Sequence, residues 1–303
     1  MRLQFHTLDV FTDTRFGGNP LAVVHDADAL DTGAMQAVAR EFNLSETVFV
    51  LKPENPAHIA RIRIFTPAIE VPFAGHPTVG TAALLAELRN PAGAGESEAI
   101  VVLEEKVGPV RVGVRLRDGA PALAEFDAPR LPEEQGTPPD TERLAGALGL
   151  IPSEIGFENH RPTRFTAGNA FTFVLVSSLE AMAKAHVSAP HWHAAFADQG
   201  AVGAFLYTRQ VVHMTSAFHA RMFAPDHGVA EDPATGSAAA AFAGVVERFD
   251  APTDGTHRRI IEQGFEMGRP SLITLSLVMN GNRLAAVRIG GHAVRVSQGT
   301  IEL

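Results

Sequence analysis

The sequence predicts an α+β protein of two pseudo-symmetric lobes, each a mixed β-sheet wrapped around a central helix. Three observations lead to this prediction. A strand–loop–helix segment occurs twice, strand-like segments dominate the chain, and one long helix in each half lacks a polar face. A helix that is apolar on all sides has to be buried. A sheet therefore has to surround each of these helices, and the order of elements excludes the alternating βα pattern of a Rossmann fold or a TIM barrel.

The more informative copy of the repeated segment spans residues 222–241. Asp232 stands directly before Pro233, and a glycine, a serine and a run of alanines follow. A carboxylate at this point can accept free N–H groups of a first helical turn, and proline suits the first helical position because it has no N–H to satisfy. We therefore expect Asp232 to cap a helix that begins at Pro233. Such a helix start favours binding of a carboxylate.

The other copy spans residues 63–83. Its His76-Pro77 falls on Asp232-Pro233 when Arg63 is aligned with Arg221 and a length difference of two residues is allowed. The two copies lie about half the chain apart, which is far too long for a solenoid repeat. The repeat predicts two related domains that face each other. The alternative is a chance match, because X-Pro helix starts are common.

Strands in the first half are predicted from alternating and β-branched residues, and the first helix from apolar residues at helical spacing, such as Met35, Val38 and Phe42. The predicted strands are 3–11, 21–25, 47–51, 58–65, 99–105 and 108–117, and the predicted helices are 32–42 and 77–89. Helix 77–89 has small or apolar residues on nearly every face. It is the predicted central helix of the first lobe.

The second half repeats this pattern. The predicted helices are 141–148, 179–185, 190–197 and 233–249, and the predicted strands are 171–176, 201–207, 211–215, 218–223, 271–279, 283–289 and 292–296, with a break at Gly290-Gly291. A proline-rich stretch, 128–140, is the predicted linker. It divides the chain into a first lobe, 1–127 plus about 291–303, and a second lobe, 128–290. The alternative is a long surface loop within one domain.

Composition limits the class of protein. The chain has 303 residues, 46% hydrophobic and 19% charged, with a formal net charge of −9 and no cysteine. No basic run points to nucleic acid, and no apolar run has the length of a signal peptide or a membrane span. No glycine-rich stretch matches a dinucleotide-binding or P-loop fingerprint. We expect a cytoplasmic protein without disulfides, thiolate metal sites or a cysteine nucleophile.

Three residues are candidates for acid–base chemistry. Glu46 lies between a helix end and a buried strand, where loss of water raises the pKa of a carboxyl toward that of a general base. The alternative is a solvated glutamate in a turn. His76 and Asp232 occupy equivalent places in the two repeats, and the alternative for them is helix capping alone. Together the three suit proton abstraction next to a carboxylate or a conjugated system. Ser237 is interpreted as a substrate contact.

A metal site has little support. His186, His191 and His193 form a loose histidine group, but their spacing matches no recognised metal site and no nearby acid completes the set. We therefore predict no bound metal.

The motifs at these residues resemble those of the PhzF family, the phenazine-biosynthesis isomerase and its relatives. The resemblance covers nearly the whole chain. The matching motifs are Asp9-Val10-Phe11, Gly18-Asn19-Pro20-Leu21-Ala22-Val23-Val24, Asn43-Leu44-Ser45-Glu46-Thr47, Gly75-His76-Pro77-Thr78-Val79-Gly80-Thr81-Ala82, Glu231-Asp232-Pro233-Ala234-Thr235-Gly236-Ser237-Ala238, Gln263-Gly264 with Gly268-Arg269-Pro270-Ser271, and the closing Gly290-Gly291 and Gly299.

The resemblance implies a diaminopimelate-epimerase-like fold, a homodimer and no cofactor. It implies that Glu46 moves a proton on a substrate such as trans-2,3-dihydro-3-hydroxyanthranilate while His76 and Asp232 assist. It also implies a site for the carboxylate and ring of the substrate. The residues assigned to substrate binding are Asn19, Ser45, Gly75, Thr78, Gly236 and Ser237.

Several functions stay open at this point. The substrate is not fixed, because one fold hosts many chemistries. An epimerase that uses Glu46 and Asp232 in place of thiols is one alternative, and a small-acid binding protein without turnover is another. Thiol-based racemisation is excluded by the absence of cysteine.

Overall fold

The computed structural model describes residues 1–90, 95–196 and 200–303, which form two compact units. Unit 1 consists of Met1–Asp127 and Ile289–Leu303, and unit 2 consists of Ala128–Arg288. The elements of unit 1 are β1 (Arg2–Val10), β2 (Asn19–Val24), α1 (Thr32–Phe42), β3 (Glu46–Leu51), β4 (Ala60–Phe65), β5 (Glu70–Val71), α2 (Gly75–Arg89), β6 (Ser97–Glu105), β7 (Gly108–Leu116) and β8 (Ala122–Asp127).

Unit 2 contains the second series of strands and helices. Its elements are β9 (Glu133–Glu134), α3 (Thr141–Leu148), β10 (Thr163–Thr166), β11 (Ala170–Leu175), α4 (Leu179–Lys184), α5 (Ala189–Phe196), β12 (Gly203–Thr208), β13 (Phe218–Ala224), β14 (Val229–Asp232), α6 (Gly236–Asp250), β15 (Gly255–Gln263), β16 (Ser271–Asn280) and the start of β17 (Arg283–Glu302). From Ile289 onward β17 belongs to unit 1.

The two units pair their strands in the same order. In unit 1, β1 is antiparallel to β2, β2 is parallel to β3, and β3 is antiparallel to β4. β4 then pairs antiparallel with β5 and parallel with β6, which continues antiparallel to β7. In unit 2, β10 to β16 repeat this series strand for strand. The predicted α+β class, with two pseudo-symmetric mixed sheets, is confirmed.

A helix buried on nearly all sides lies within each unit. Residues of α2 are buried from Gly75 to Leu84 without a gap, and the helix contacts β1, β2, β3, β6, β7 and β8. In α6 the ring of Phe242 lies 4.8 to 5.7 Å from the rings of Phe173, Phe205, Tyr207 and Phe218. Burial of aromatic surface of this size contributes a large part of the stability of a core. The prediction of one central helix in each half is confirmed.

An arginine–glutamate pair precedes each central helix. The guanidinium of Arg63 donates two hydrogen bonds of 2.7 Å to Glu70, and that of Arg221 donates two of 2.7 and 2.8 Å to Glu231. Each guanidinium also lies over the phenylalanine ring two residues later in its strand. Bidentate pairs of this kind are geometrically specific. The repeated Arg-x-Phe motif therefore fastens the short strand β5 or β14 to the strand before it.

The predicted starts of the two central helices are wrong. α2 begins at Gly75, so that His76 lies inside its first turn, and proline is tolerated there because the first helical N–H groups have no intrahelical partner. α6 begins only at Gly236, with Thr235 in the N-cap position. Asp232 ends β14, where it pairs with Met222, and does not cap the helix.

Other predicted boundaries also change. Residues 211–215 form bends and a turn instead of the predicted strand, and strands β5, β8, β9, β10, β14 and β15 were not predicted. β17 runs through the predicted break at Gly290-Gly291. A Cβ at Gly290 would lie 2.9 Å from Ala124 O and from Glu125 Cβ, so glycine permits a close approach of strands at this point. The last residue of predicted helix 190–197 lies outside the described residues.

No helix within the described ranges 1–90, 95–196 and 200–303 has both the length and the apolar character needed to cross a membrane.

We predict that replacing the mid-helix glycines destabilises the protein. A Cβ at Gly80 would lie 2.6 Å from Val10 Cγ2, and one at Gly244 would lie 2.5 Å from Phe165 Cδ1. We expect Gly80→Ala and Gly244→Ala each to lower the free energy of unfolding by about 1–3 kcal/mol, because a well-packed core resists an added methyl. Urea denaturation measures the change.

Gly146→Ala in α3 is the matched control. The nearest atom to its added Cβ lies 3.6 Å away, in the ring of His191, at ordinary contact distance. This variant should gain up to about 1 kcal/mol from helix propensity. A similar gain in Gly80→Ala or Gly244→Ala would contradict the close packing described for the central helices.

Candidate active site

The way α1 ends sets the position of Glu46. Asn43 adopts a left-handed conformation (φ 49°) and its N–H bonds to Ala39 O, which ends the helix and turns the chain toward β3. Asparagine tolerates this conformation better than most residues. Glu46 then opens β3, directly after Ser45. Its side chain is 19% exposed.

His76 lies beside Glu46. The Nε2 atom of His76 is 3.6 Å from Oε2 of Glu46, and the imidazole is only 4% exposed. Among the described residues this Nε2 atom has no hydrogen-bond partner. A separation of 3.6 Å is too long for a hydrogen bond. Catalytic hydrogen bonds are often long in unliganded enzymes and shorten when substrate binds. A small movement would bring the two side chains within hydrogen-bond distance.

Burial decides the charge of His76. Loss of contact with water lowers the pKa of His76 to about 3. The nearby carboxyl of Glu46 works in the opposite direction, because an anion favours imidazolium. Burial is the larger effect for a side chain so far removed from water. His76 is therefore neutral at pH 7, with one ring nitrogen as a donor and the other as an acceptor.

Two further predicted residues lie at the same end of the sheet of unit 1. Asn19 opens β2 and is fully buried, and Ser45 immediately precedes β3. β2 and β3 are parallel neighbours, with Leu21 paired to Glu46. Gly18 makes the tight approach possible: its φ is 64°, and a Cβ there would lie 2.4 Å from Val10 O. Asn19, Ser45 and Glu46 therefore stand at the starts of adjacent strands.

Gly75 and Thr78 belong to the first turn of α2. Gly75 is its first residue and is buried. The Thr78 hydroxyl is also buried, 2.8 Å from Ala74 O and 2.7 Å from Oε1 of Glu105. Glu105 was not identified from the sequence. Burial raises the pKa of Glu105 to about 8, although the bond to Thr78 works against this rise. A buried carboxylic acid therefore lies against the helix start that carries His76.

The remaining predicted residues lie in unit 2. Asp232 ends β14, and Gly236 and Ser237 open α6. The hydroxyl of Thr235 donates a 2.6 Å hydrogen bond to Oδ2 of Asp232. The structure thus gathers the predicted site residues into two groups, one in each unit. Their division is Asn19, Ser45, Glu46, Gly75, His76 and Thr78 in unit 1 and Asp232, Gly236 and Ser237 in unit 2.

A buried charged cluster in unit 2 was also missed. The Nδ1 atom of His219 lies 2.8 Å from Glu262, and its Nε2 atom lies 2.9 Å from Glu266. Burial opposes charge on the imidazole, but the hydrogen bonds to the two carboxylates outweigh it and raise the pKa of His219 to about 9. No local pattern signals this cluster, because His219 and its partners come from different strands and a loop.

No three histidine, aspartate or glutamate side chains are arranged to hold a metal ion in the ranges 1–90, 95–196 and 200–303. His191 and His193 lie on α5, and His186 precedes that helix.

Comparison with known proteins gives a consistent result. The profile of the phenazine biosynthesis-like proteins matches residues 8–299. An uncharacterised isomerase of Mesorhizobium japonicum is 55% identical over 297 residues, which cover 97% of this chain and 96% of the relative. The trans-2,3-dihydro-3-hydroxyanthranilate isomerase of Pseudomonas chlororaphis is 36% identical, with 98% of both chains covered. The solved structure of a PhzF-family protein from Bacillus anthracis is similar in fold, with a TM-score of 0.88, complete coverage of both chains and 24% identity.

The fold and these relatives define the class of protein to which the chain belongs. The chain is an enzyme of diaminopimelate-epimerase-like fold, and it is an isomerase. It belongs to the PhzF family, as the resemblance of its motifs indicates.

We predict that Glu105→Gln stabilises the protein above pH 5. The carboxyl titrates near 4.5 in the unfolded chain and near 8 in the fold, so its contribution to stability is complete below pH 4.5 and is lost as the pH rises to about 8. Glutamine does not titrate, and its amide oxygen still accepts the hydrogen bond from Thr78. At pH 8 we expect a gain on the order of 1–2 kcal/mol, smaller than the full linkage because the buried amide N–H groups are left to satisfy.

Thermal unfolding of wild type and variant between pH 4.5 and 9 measures this difference. Glu98→Gln, an exposed position on the same strand, serves as control and should show no such rise with pH. A difference between wild type and Glu105→Gln that stays constant with pH would show that Glu105 is ionised in the fold.

Proposed function

We propose that this isomerase moves a proton within a small carboxylic acid, one that is cyclic or aromatic-like, by general acid/base catalysis. Glu46 takes the proton from an activated carbon and returns it to another position of the same molecule. His76 and Asp232 assist. Bonds and charges balance without an oxidant or reductant, because the proton lost by one carbon is regained by another.

The observation that carries this proposal is the pair formed by Glu46 and His76. His76 Nε2 and Glu46 Oε2 are 3.6 Å apart at the start of a buried helix, and the imidazole is removed from water. A proton carrier needs a carboxyl that reaches the substrate and a surrounding that excludes bulk water. The partial exposure of Glu46 beside a buried, neutral histidine meets both conditions.

The neutral state of His76 limits what it does. A neutral imidazole donates one hydrogen bond and accepts another, so His76 is suited to hold Glu46 or a polar group of the substrate in place. An imidazolium would place a full positive charge next to Glu46 and lower the pKa of that carboxyl, which weakens it as a base. We therefore assign His76 to orientation and hydrogen bonding.

Asp232 is assigned an assisting role because it occupies the position in the second repeat that His76 occupies in the first. Gly236 and Ser237 open α6, and the first N–H groups of a helix have no acceptor within the helix. Such groups favour an anion. We propose that the N–H groups at the start of α6 bind the substrate carboxylate. Gly75 opens α2 as Gly236 opens α6.

The substrate class follows from the relatives. The Pseudomonas chlororaphis relative is named for its action on trans-2,3-dihydro-3-hydroxyanthranilate, an amino acid with a conjugated ring. This compound or a close analogue is the substrate that we propose to test first. A carboxylate next to a conjugated system stabilises the negative charge that proton removal leaves, so the proposed chemistry suits it.

We predict that Glu46→Gln abolishes proton movement while the fold survives. Glutamine has the same size but accepts no proton, and loss of a general base typically lowers a rate by about 10²–10⁴-fold. The measurement is exchange of substrate hydrogen with deuterated water, followed by NMR, with trans-2,3-dihydro-3-hydroxyanthranilate as substrate. Glu41→Gln, an exposed change nearby on α1, should exchange as fast as the wild type.

An unaltered rate in Glu46→Gln would remove Glu46 from the mechanism. The amide of the substrate is a second control, and equal turnover of amide and acid would remove the carboxylate site. Exchange at one carbon with inversion, without a shift of the double bonds, would favour an epimerase that uses Glu46 and Asp232. Binding without exchange across a panel of cyclic acids would favour a binding protein and contradict the proposal.

A further inference from the structure

The turn that carries Asp232 is held from inside unit 2 by a single amide side chain. Gln263 is fully buried at the end of β15. Its Nε2 atom donates to the backbone oxygen of Asp232 at 2.7 Å and to the hydroxyl of Thr235 at 3.1 Å, and its Oε1 atom accepts from the Thr235 N–H at 3.2 Å. Both ends of the turn are thus bonded to one residue.

Counting hydrogens fixes the direction of this network. Gln263 has two hydrogens on Nε2, and both are used within the turn. The Thr235 oxygen therefore receives one of them, and its own hydrogen is left for Oδ2 of Asp232, 2.6 Å away. Asp232 takes part as an acceptor. The result is a directed chain of hydrogen bonds from the Gln263 amide through the Thr235 hydroxyl to the Asp232 carboxylate.

The residues on either side of Gln263 hold it in place. Glu262, its neighbour in β15, accepts from the backbone N–H of Val212 and His213 and is bonded to His219 on β13. Gly264, which follows, has a φ of 79°, and a Cβ there would lie 2.6 Å from Pro233 O. The chain after Gln263 is therefore pressed against the turn. A residue held this firmly can orient another.

The first half of the chain contains the same device. Glu105 ends β6 as Gln263 ends β15, and each of these strands follows a central helix and runs parallel to an earlier strand of its unit, β4 or β13. Glu105 contacts the hydroxyl of Thr78 at the start of α2, as Gln263 contacts that of Thr235 before α6. A strand-end side chain bonded to a threonine at the helix start is thus common to both units.

We propose that Gln263 and Thr235 are positioning residues that orient the Asp232 carboxylate and keep it a hydrogen-bond acceptor. The importance of this positioning for the reaction rests on the proposed function, but the hydrogen-bond chain itself is a property of the unliganded protein. A hydrogen bond to the charged form of an acid stabilises that form. Removal of the Thr235 hydroxyl should therefore make Asp232 easier to protonate and leave its orientation unfixed.

The decisive variants are Thr235→Val and Thr235→Ser. Valine keeps the shape and removes the hydroxyl, whereas serine keeps the hydroxyl. Titration of the Asp232 side-chain carbon is followed by NMR on protein labelled with 13C in aspartate carboxyls, with Asp232→Asn identifying the signal. We expect the midpoint to rise by about one pH unit or more in Thr235→Val. Thr235→Ser should restore the wild-type midpoint, and Thr256→Val, an exposed change on β15, should leave it unchanged.

A midpoint that is the same in Thr235→Val and in wild type would overturn the proposal. If Thr235→Val does not fold, Thr235→Ala provides the same comparison with less crowding against Gln263. The rate of hydrogen exchange in trans-2,3-dihydro-3-hydroxyanthranilate is the second readout, and we expect it to fall roughly tenfold or more in Thr235→Val. A shifted midpoint without turnover in wild type would contradict the proposed function alone, whereas normal turnover with an unshifted midpoint would contradict only the positioning role.

Discussion

Removal of polar groups from water at the start of α2 is the constraint on which this account depends. His76 and Thr78 are buried in the first turn of the helix, and Glu105 is buried against it. Burial favours the uncharged forms of the histidine and of the glutamate, as the opposite shifts of their pKa values show. Glu46, which is more exposed, therefore lies beside an uncharged histidine.

The two units share their strand order but carry different polar groups at the starts of their central helices. Strand order, the arginine–glutamate pair before the helix and the strand-end side chain at the helix start recur in both units. What differs is the group at each helix start. In unit 1 a histidine lies within the first turn, and in unit 2 an aspartate stands before a turn that delays the helix. The strand scaffold is shared, and the polar side chains at the two helix starts differ.

Features that are determined by residues close together in the sequence could be predicted from local patterns. The duplicated segment and the two apolar helices could be predicted, because they leave a repeat and a periodicity in the sequence. The family motifs also named both His76 and Glu46. The start of α6 could not, because the turn after Asp232 is held by Gln263, which is distant in sequence. Glu105 was not identified from the sequence for the same reason, since its burial depends on packing against α2. The strand that carries Gln263 has an exposed first half with little alternation, so it gave no strand signal.

The protonation state of His76 tests the central claim most directly. Protein labelled with 15N in histidine can be titrated from pH 8 downward, with His76→Asn identifying the signals of this ring. We expect His76 to keep the nitrogen shifts of a neutral tautomer throughout the range from pH 8 to about 4, because burial lowers its pKa to about 3. Titration of His76 near the ordinary value of 6.5 would contradict it, since the ring would then be hydrated and Glu46 would lie beside a cation at acidic pH.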